Sequence, residues 1–300
     1  MIHTVRGEKE PKDLGITMCH EHLSIDLSPV RKNTDSTYCY SKFILNEVEK
    51  AKMYGVKSFV EVTCNDMGRN IKDLLKISEE TNTHIIAATG FYINDYHSED
   101  FKRKSIDEIA KIFISDLTKG IEDTEIKAGV IGEVASSLEM AESERKVLCA
   151  AAIAQKEVGC AITTHCQLGR MGDKQADIFE SYQVNPDKVI LGHIDLSNDI
   201  DYMISLLDRG FNIEFDTIGK IVYLSDEERA ERLIHLLDQG YGDKILLSQD
   251  ISRKSYFTEL GYFGFTTVMK KFIPMLVDRG VKQEDVDKML IHNPARIFSY

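Results

Sequence analysis

Two histidines in Met18-Cys-His-Glu-His-Leu23, His20 and His22, close a short apolar run that begins at Gly15. Residues i and i+2 of a β-strand share a face. The two imidazoles therefore project side by side and can hold one divalent cation. Further isolated polar residues recur at the ends of later apolar runs: Glu133, His165, His193 and Asp250. Together the six residues have the composition of a two-metal hydrolytic site. Ions about 3.5–4 Å apart need a bridging anion, and a carboxylate bridges well because each oxygen can take one ion. His20, His22 and Asp250 are assigned to the more buried ion, His165 and His193 to the more exposed one, and Glu133 to the bridge. Metal coordination lowers the pKa of water toward 7 and so supplies a nucleophile at neutral pH. Asp250 is the residue expected to receive its proton and pass it to the leaving group.

The elements that must position these residues are eight apolar, β-branched runs near residues 15–24, 56–65, 84–91, 129–135, 161–167, 189–195, 212–217 and 245–250. Segments of helical periodicity with charged faces lie between them, for example 41–54, 71–81, 105–120, 142–158, 200–210 and 226–240. Alternating strand and helix units of this number predict a (β/α)₈ barrel. The near-continuous apolar character of the runs suits parallel strands buried on both faces; a doubly wound open sheet is the alternative. Each of the six polar residues falls toward the C-terminal end of its run, and in a barrel those ends converge on one mouth, where active sites form. After the eighth run come helical segments near 266–279 and 283–290, closing on His292-Asn-Pro-Ala-Arg296. With no linker or low-complexity stretch, residues 1–300 read as a single domain.

Composition excludes several function classes. The 300 residues carry a net charge of −12, which argues against nucleic acid or an anionic membrane as partner, since phosphate backbones require a basic face. No apolar run approaches the roughly 18 residues of a membrane span, and the first residues lack the apolar core of a signal peptide. The six cysteines are scattered without a C-x-x-C pair. They read as reduced, buried thiols, and the protein is expected in the cytoplasm. Cys19 and Cys166 flank proposed ligands but are expected to face away from them. His3, His84, His97, His235 and His292 receive structural readings.

The loop after the seventh run holds Lys220, and the loop after the eighth holds Arg253 and Tyr256. Loops in these positions often form phosphate sites in such barrels. Arginine grips phosphate with two parallel hydrogen bonds, lysine adds a compact charge and tyrosine a neutral donor. The alternative is that they are ordinary solvated side chains.

The ordered set His20-Glu-His22-Leu, Ala128-Gly-Val-Ile-Gly-Glu133, Thr164-His165, Gly192-His193, Ser248-Gln-Asp250 and Asn293-Pro-Ala-Arg296 resembles the phosphotriesterase family of the amidohydrolase superfamily along nearly the whole chain. The resemblance implies a distorted TIM barrel with a binuclear centre, usually zinc and sometimes manganese, cobalt or nickel. Members that hydrolyse paraoxon bridge their metals with a carbamylated lysine on the fourth strand. Here that lysine is absent, and Glu133 lies one position beyond where it would align. A one-residue shift flips a side chain to the opposite face, so a local bulge at Gly132 is expected to restore its direction. Phosphotriesterase homology proteins and several lactonase members are similar here, with glutamate as the bridge. In the branch that opens phosphorylated sugar lactones, an arginine and a tyrosine three and six residues beyond the metal-binding aspartate hold the phosphate. Arg253 and Tyr256 have that spacing from Asp250, with Lys220 matched by its loop. The resemblance thus implies a lactonase for a small phosphorylated sugar lactone, and a homodimer as the assembly. The alternatives are hydrolysis of an unphosphorylated lactone, ester, amide or organophosphate in the same site, or metal binding without catalysis.

Overall fold

Every apolar run contributes a strand to one sheet. In the computed structural model, which describes residues Met1–Tyr300, these are β1 (Ile16–Glu21), β2 (Val56–Glu61), β3 (His84–Thr89), β4 (Val130–Ser136), β5 (Ala161–Cys166), β6 (Val189–Leu191), β7 (Asn212–Phe215) and β8 (Ile245–Leu247). They pair in sequential order, all parallel. The main helices that follow them are α1 (Lys42–Met53), α2 (Ile71–Thr81), α3 (Ile106–Thr118), α4 (Glu142–Val158), α5 (Gly172–Ser181), α6 (Ile200–Asp208), α7 (Asp226–Asp238) and α8 (Ile273–Asp278). The architecture is the (β/α)₈ TIM barrel that the alternation of runs predicts.

Side chains and one backbone bond, from the Asp250 N–H to the His20 carbonyl oxygen at 3.2 Å, join β1 to the end of β8. Ser248 Oγ accepts from the His20 N–H at 3.0 Å and lies 2.7 Å from a Glu21 oxygen. The same buried carboxylate accepts from the N–H groups of Gln249 at 2.9 Å and Ile251 at 3.0 Å. Glu21, between the two histidines, thereby clamps the backbone on either side of Asp250.

Most of the core, 66 buried apolar residues, forms one cluster dominated by strand-to-helix packing. A smaller cluster of 13 includes Cys19, Val60, Ile86, Val130, Ala161, Ile190 and Leu246 from the strands, plus Ile2, Leu14, Ile297 and Phe298 from the chain ends. Alternating side chains of parallel barrel strands fill the interior in layers. The apolar filling occupies the lower layers, and the C-terminal strand ends are left to polar groups.

Most ladders end before their apolar runs do. β6 stops at Leu191 and β8 at Leu247, while His193 (φ 59°) and Asp250 (φ 47°) lie beyond in the left-handed region. This region is sparsely populated by non-glycine residues, with His and Asp among the more tolerant. The expected helix across 266–279 divides into a π-helical turn, Val268–Phe272, and α8, and a second π turn, Lys288–His292, precedes Asn293–Ile297. Each π turn runs into a proline, Pro274 or Pro294, whose missing N–H and bulky ring oppose a regular i→i−4 ladder. No helix is long and apolar enough to cross a membrane.

Candidate metal centre

The barrel brings all six predicted ligand residues to its mouth. His20 stands on β1 and His22 just past its end; Glu133 lies within β4 and His165 on β5; His193 and Asp250 follow β6 and β8. All six are buried, with His165 and Asp250 the most exposed at 9% each. Glu133 lies at the centre. Its Oε2 is 3.3 Å from His20 Nε2, 3.2 Å from His165 Nδ1 and 3.9 Å from His193 Nε2, and its Oε1 is 3.7 Å from His22 Nε2. Asp250 Oδ1 is 3.3 Å from His22 Nε2. Two ligand groups, His20–His22–Glu133 and Glu133–His165–His193, share the one carboxylate.

The backbone at Gly132 explains how Glu133 reaches this position. The β4–β5 ladder shifts register between Ile131 and Val134, the irregularity expected there. Gly132 has φ 149°. A Cβ on it would lie 2.4 Å from Thr163 Cγ2 and 2.5 Å from Thr163 O, so no other residue fits.

Three of the four imidazoles are held at Nδ1, leaving Nε2 toward the centre. His20 Nδ1 faces Glu214 Oε2 at 3.0 Å, and His193 Nδ1 faces Asp216 Oδ1 at 2.9 Å. His22 Nδ1 faces Thr63 Oγ1 at 2.8 Å, whose hydroxyl donates to Glu61 Oε1 at 2.6 Å. Such partners fix the tautomer and ring orientation of a metal-binding histidine. His165 differs: its Nδ1 points inward, 2.8 Å from His193 Nε2. Tyr92, also buried, stands over His165 with its hydroxyl 3.5 Å from both ring nitrogens.

Donor chemistry tests whether cations fit. His20 Nε2 is buried without a hydrogen-bond partner, and it confronts a carboxylate oxygen and other inward-facing ring nitrogens. Acceptors aimed at acceptors in a low-dielectric interior repel one another unless positive charge lies between them. The titration tendencies agree. Burial drives the His20 imidazole down, but Asp216, Glu133 and Glu214 outweigh it and hold its pKa well above the ordinary value. Burial raises the Glu133 carboxyl, yet the hydrogen bond with His165 and the nearby His20 imidazole bring it well below the ordinary range. The site attracts a proton where a cation would sit, so these residues fit divalent metal. Asp216 also approaches His20 and His193, but it faces their Nδ1 atoms and the His193 N–H. It orients the rings rather than forming a third cation site.

The neighbouring thiols are poor ligands. Cys19 belongs to the interior cluster, and burial, then Glu214 and Glu21, push its pKa well up. Burial pushes Cys166 up to about 12. All six cysteines are free, five of them buried and Cys39 exposed.

Above the centre opens a cavity of about 360 Å³ whose lining includes Glu133, Asp250, Lys220, Arg253 and Tyr256. The three predicted phosphate-site residues are thus together, but Lys220 is not free. It is buried, and its Nζ pairs with Asp250 Oδ2. Burial raises the Asp250 carboxyl; Lys220 and the hydrogen bond to His22 more than reverse this, holding it well below the ordinary range. Lys220 Nζ also lies 5.5 Å from the ring centre of Tyr256, and Arg253 lies 5.9 Å from it.

Sequence reasoning did not single out Glu61, Thr63, Tyr92, Glu214 or Asp216, nor Arg31, which also lines the cavity. Glu214 and Asp216 did carry a signal. They are carboxylates at i and i+2 in an apolar run, the same spacing that marks His20 and His22.

The profile of the phosphotriesterase family matches residues 1–298. The phosphotriesterase homology protein of Escherichia coli is 36% identical over 285 residues, spanning 95% of this chain and 98% of that protein. Its crystal structure, with phosphate in the active site, aligns at a TM-score of 0.93 over 96% of this chain and 99% of that one. The aryldialkylphosphatase of Saccharolobus solfataricus is 33% identical over 97% of this chain and 96% of its own length. The crystal structure of a lactonase from Listeria monocytogenes aligns at a TM-score of 0.94 with 26% identity, covering 100% of this chain and 99% of that one.

Proposed function

The chain belongs to the phosphotriesterase family and is a metal-dependent hydrolase of ester bonds; we propose that it opens phosphorylated sugar lactones. His20, His22 and Asp250 would hold the more buried of two ions, His165 and His193 would hold the more exposed, and Glu133 would be shared between them. We assign zinc, the usual ion of the resemblance, with manganese, cobalt and nickel as alternatives. The observation that carries the substrate reading is one cavity lined at its floor by Glu133 and Asp250 and at its wall by Lys220, Arg253 and Tyr256.

When bound, such a pair of ions supplies electrophilic polarisation and a nucleophile at neutral pH. The protein's own groups do the rest. Glu214, Asp216 and Thr63 keep the imidazoles fixed, so the centre needs no rearrangement during reaction. Asp250 is ionised. It takes the proton released as the lactone carbonyl is attacked and delivers it to the ring oxygen as that oxygen leaves. Arg253 grips the phosphate through its planar fork, Tyr256 donates from its hydroxyl, and Lys220 keeps donors beyond the one on Asp250. Binding energy from this remote group positions the lactone for attack.

Hydrolysis rates for one lactone with and without its phosphate test the reading. The expected result is a higher kcat/KM for the phosphorylated form; equal values refute the phosphate role. A phosphotriester is the second reading, favoured by the similarity to the aryldialkylphosphatase, and a diethyl aryl phosphate in the same panel decides it. The free cysteines support a cytoplasmic location, and light scattering reads the homodimer that the family resemblance implies.

A further inference from the structure

We propose that Arg31 and Arg253 form one anion clamp, with Arg31 a specificity-determining residue for the substrate's phosphate. The inference rests on the phosphate reading above and adds a residue from the opposite end of the barrel sequence. Both arginines line the cavity over the metal centre. Several arginines elsewhere are engaged by carboxylates, Arg69 by Asp116, Arg209 by Glu180, Arg229 by Asp195 and Arg296 by Asp187, and those that are not, such as Arg6, Arg232 and Arg279, lie outside this cavity. Arg31 and Arg253 have no such partner. Arg31 donates from one Nη to Ser36 Oγ at 2.9 Å, and Arg253 lies against the face of Tyr256.

The charges of the cavity sharpen the point. Its carboxylates are Glu133 and Asp250, which face the metal centre, and Asp95, exposed at the rim. Lys220 is taken up by Asp250. The cations of the cavity with no carboxylate partner are therefore the two guanidinium groups, with Lys220 able to add only the donors it does not spend on Asp250.

The loops that carry them are fastened together. Asp35, four residues beyond Arg31, accepts at its backbone oxygen from the Lys254 N–H at 2.7 Å. Its carboxylate accepts from the Ser255 N–H at 2.9 Å and the Ser255 hydroxyl at 2.8 Å. The loop after β1 and the loop after β8 thus form adjoining walls, with Asp35 as the positioning residue. Each arginine has aromatic neighbours: Tyr92 and Tyr96 line the cavity beside Arg31, and Tyr256 presents its ring face to Arg253. Two rigid forks on adjoining walls suit the terminal oxygens of a phosphomonoester dianion better than a single carboxylate.

Calorimetry on the zinc-loaded full chain tests this, with 6-phosphogluconate and gluconate as non-hydrolysable probes of the open acid. The wild type is expected to bind 6-phosphogluconate more tightly. Arg31→Met and Arg253→Met are each expected to lower that preference about tenfold, as loss of a charged hydrogen bond implies, with gluconate affinity unchanged. Arg31→Lys, which keeps the charge and most of the stem, is expected to retain part of the preference and guards against a folding artefact in Arg31→Met. If both Arg31 variants keep the wild-type preference while Arg253→Met loses it, the clamp is refuted and the phosphate reading stands. If the wild type shows no preference, the phosphate reading fails and the clamp with it.

Discussion

The floor and the wall of the same cavity are built in opposite ways. At the floor, the imidazoles of His20, His22 and His193 are each fixed from behind by Glu214, Thr63 and Asp216, all fully or nearly fully buried. At the wall, Arg31, Arg253 and Tyr256 are half-buried on loops, and the loop carrying Lys220 displays Ile221, Val222 and Tyr223 at 71%, 79% and 50% exposure. Strands are suited to chemistry that tolerates little displacement. Loops on a rigid scaffold are suited to recognition that differs between relatives. The similarity of this chain to both a lactonase and an aryldialkylphosphatase fits that division of labour.

The division can be broken by substitutions at each level. The largest effect is expected at the floor: Glu133→Gln removes the charge proposed to bridge the two ions and should lower kcat/KM roughly 10³-fold, comparable to losing a main transition-state stabiliser. Assays on phosphorylated and unphosphorylated lactones should fall together; a selective loss would place Glu133 in recognition instead.

Next comes the joint between floor and wall. Arg229 is fully buried, pairs with Asp195 at 2.8 Å, and reaches Thr217 Oγ1 and the Leu224 carbonyl at 2.7 and 2.6 Å. It binds the loop after β7 to the segment following His193. Arg229→Met leaves Asp195 buried without its partner and should cost about 3–5 kcal/mol of stability, as for other broken buried pairs. Denaturant unfolding measures this.

One layer behind the ligands, Glu214→Gln keeps the shape but weakens the hold on His20. A 10–100-fold loss of metal affinity is expected, read by competition with a chromophoric chelator. The smallest effect is expected at the rim, where Val222→Ser should change stability by less than about 0.5 kcal/mol and leave metal affinity unchanged. A large loss there would erase the distinction between floor and wall.

The same division explains how much was legible in the sequence. The strands were readable because burial on both faces leaves apolar runs, and a histidine or carboxylate closing such a run is conspicuous. The convergence of His20, Glu133, His165, His193 and Asp250 follows from strand order in a barrel. Glu214 and Asp216 were harder to see, because a carboxylate inside a run reveals its purpose only when the facing ring is known. The pairing of Lys220 with Asp250, and of Asp35 with Ser255, depends on how loops from distant parts of the chain meet. No period or spacing encodes that. Arg31 sits on one turn of helix, Ser28–Arg31, in a segment without periodic pattern.

Metal titration of the chelator-stripped protein tests the central claim most directly. Zinc added in steps, with bound metal counted per chain and hydrolysis followed in parallel, should saturate at two ions per wild-type chain as activity reaches its plateau. Glu133→Gln should lose at least one of them. Saturation at a single ion in the wild type, or an unchanged count in Glu133→Gln, would contradict the shared-carboxylate centre.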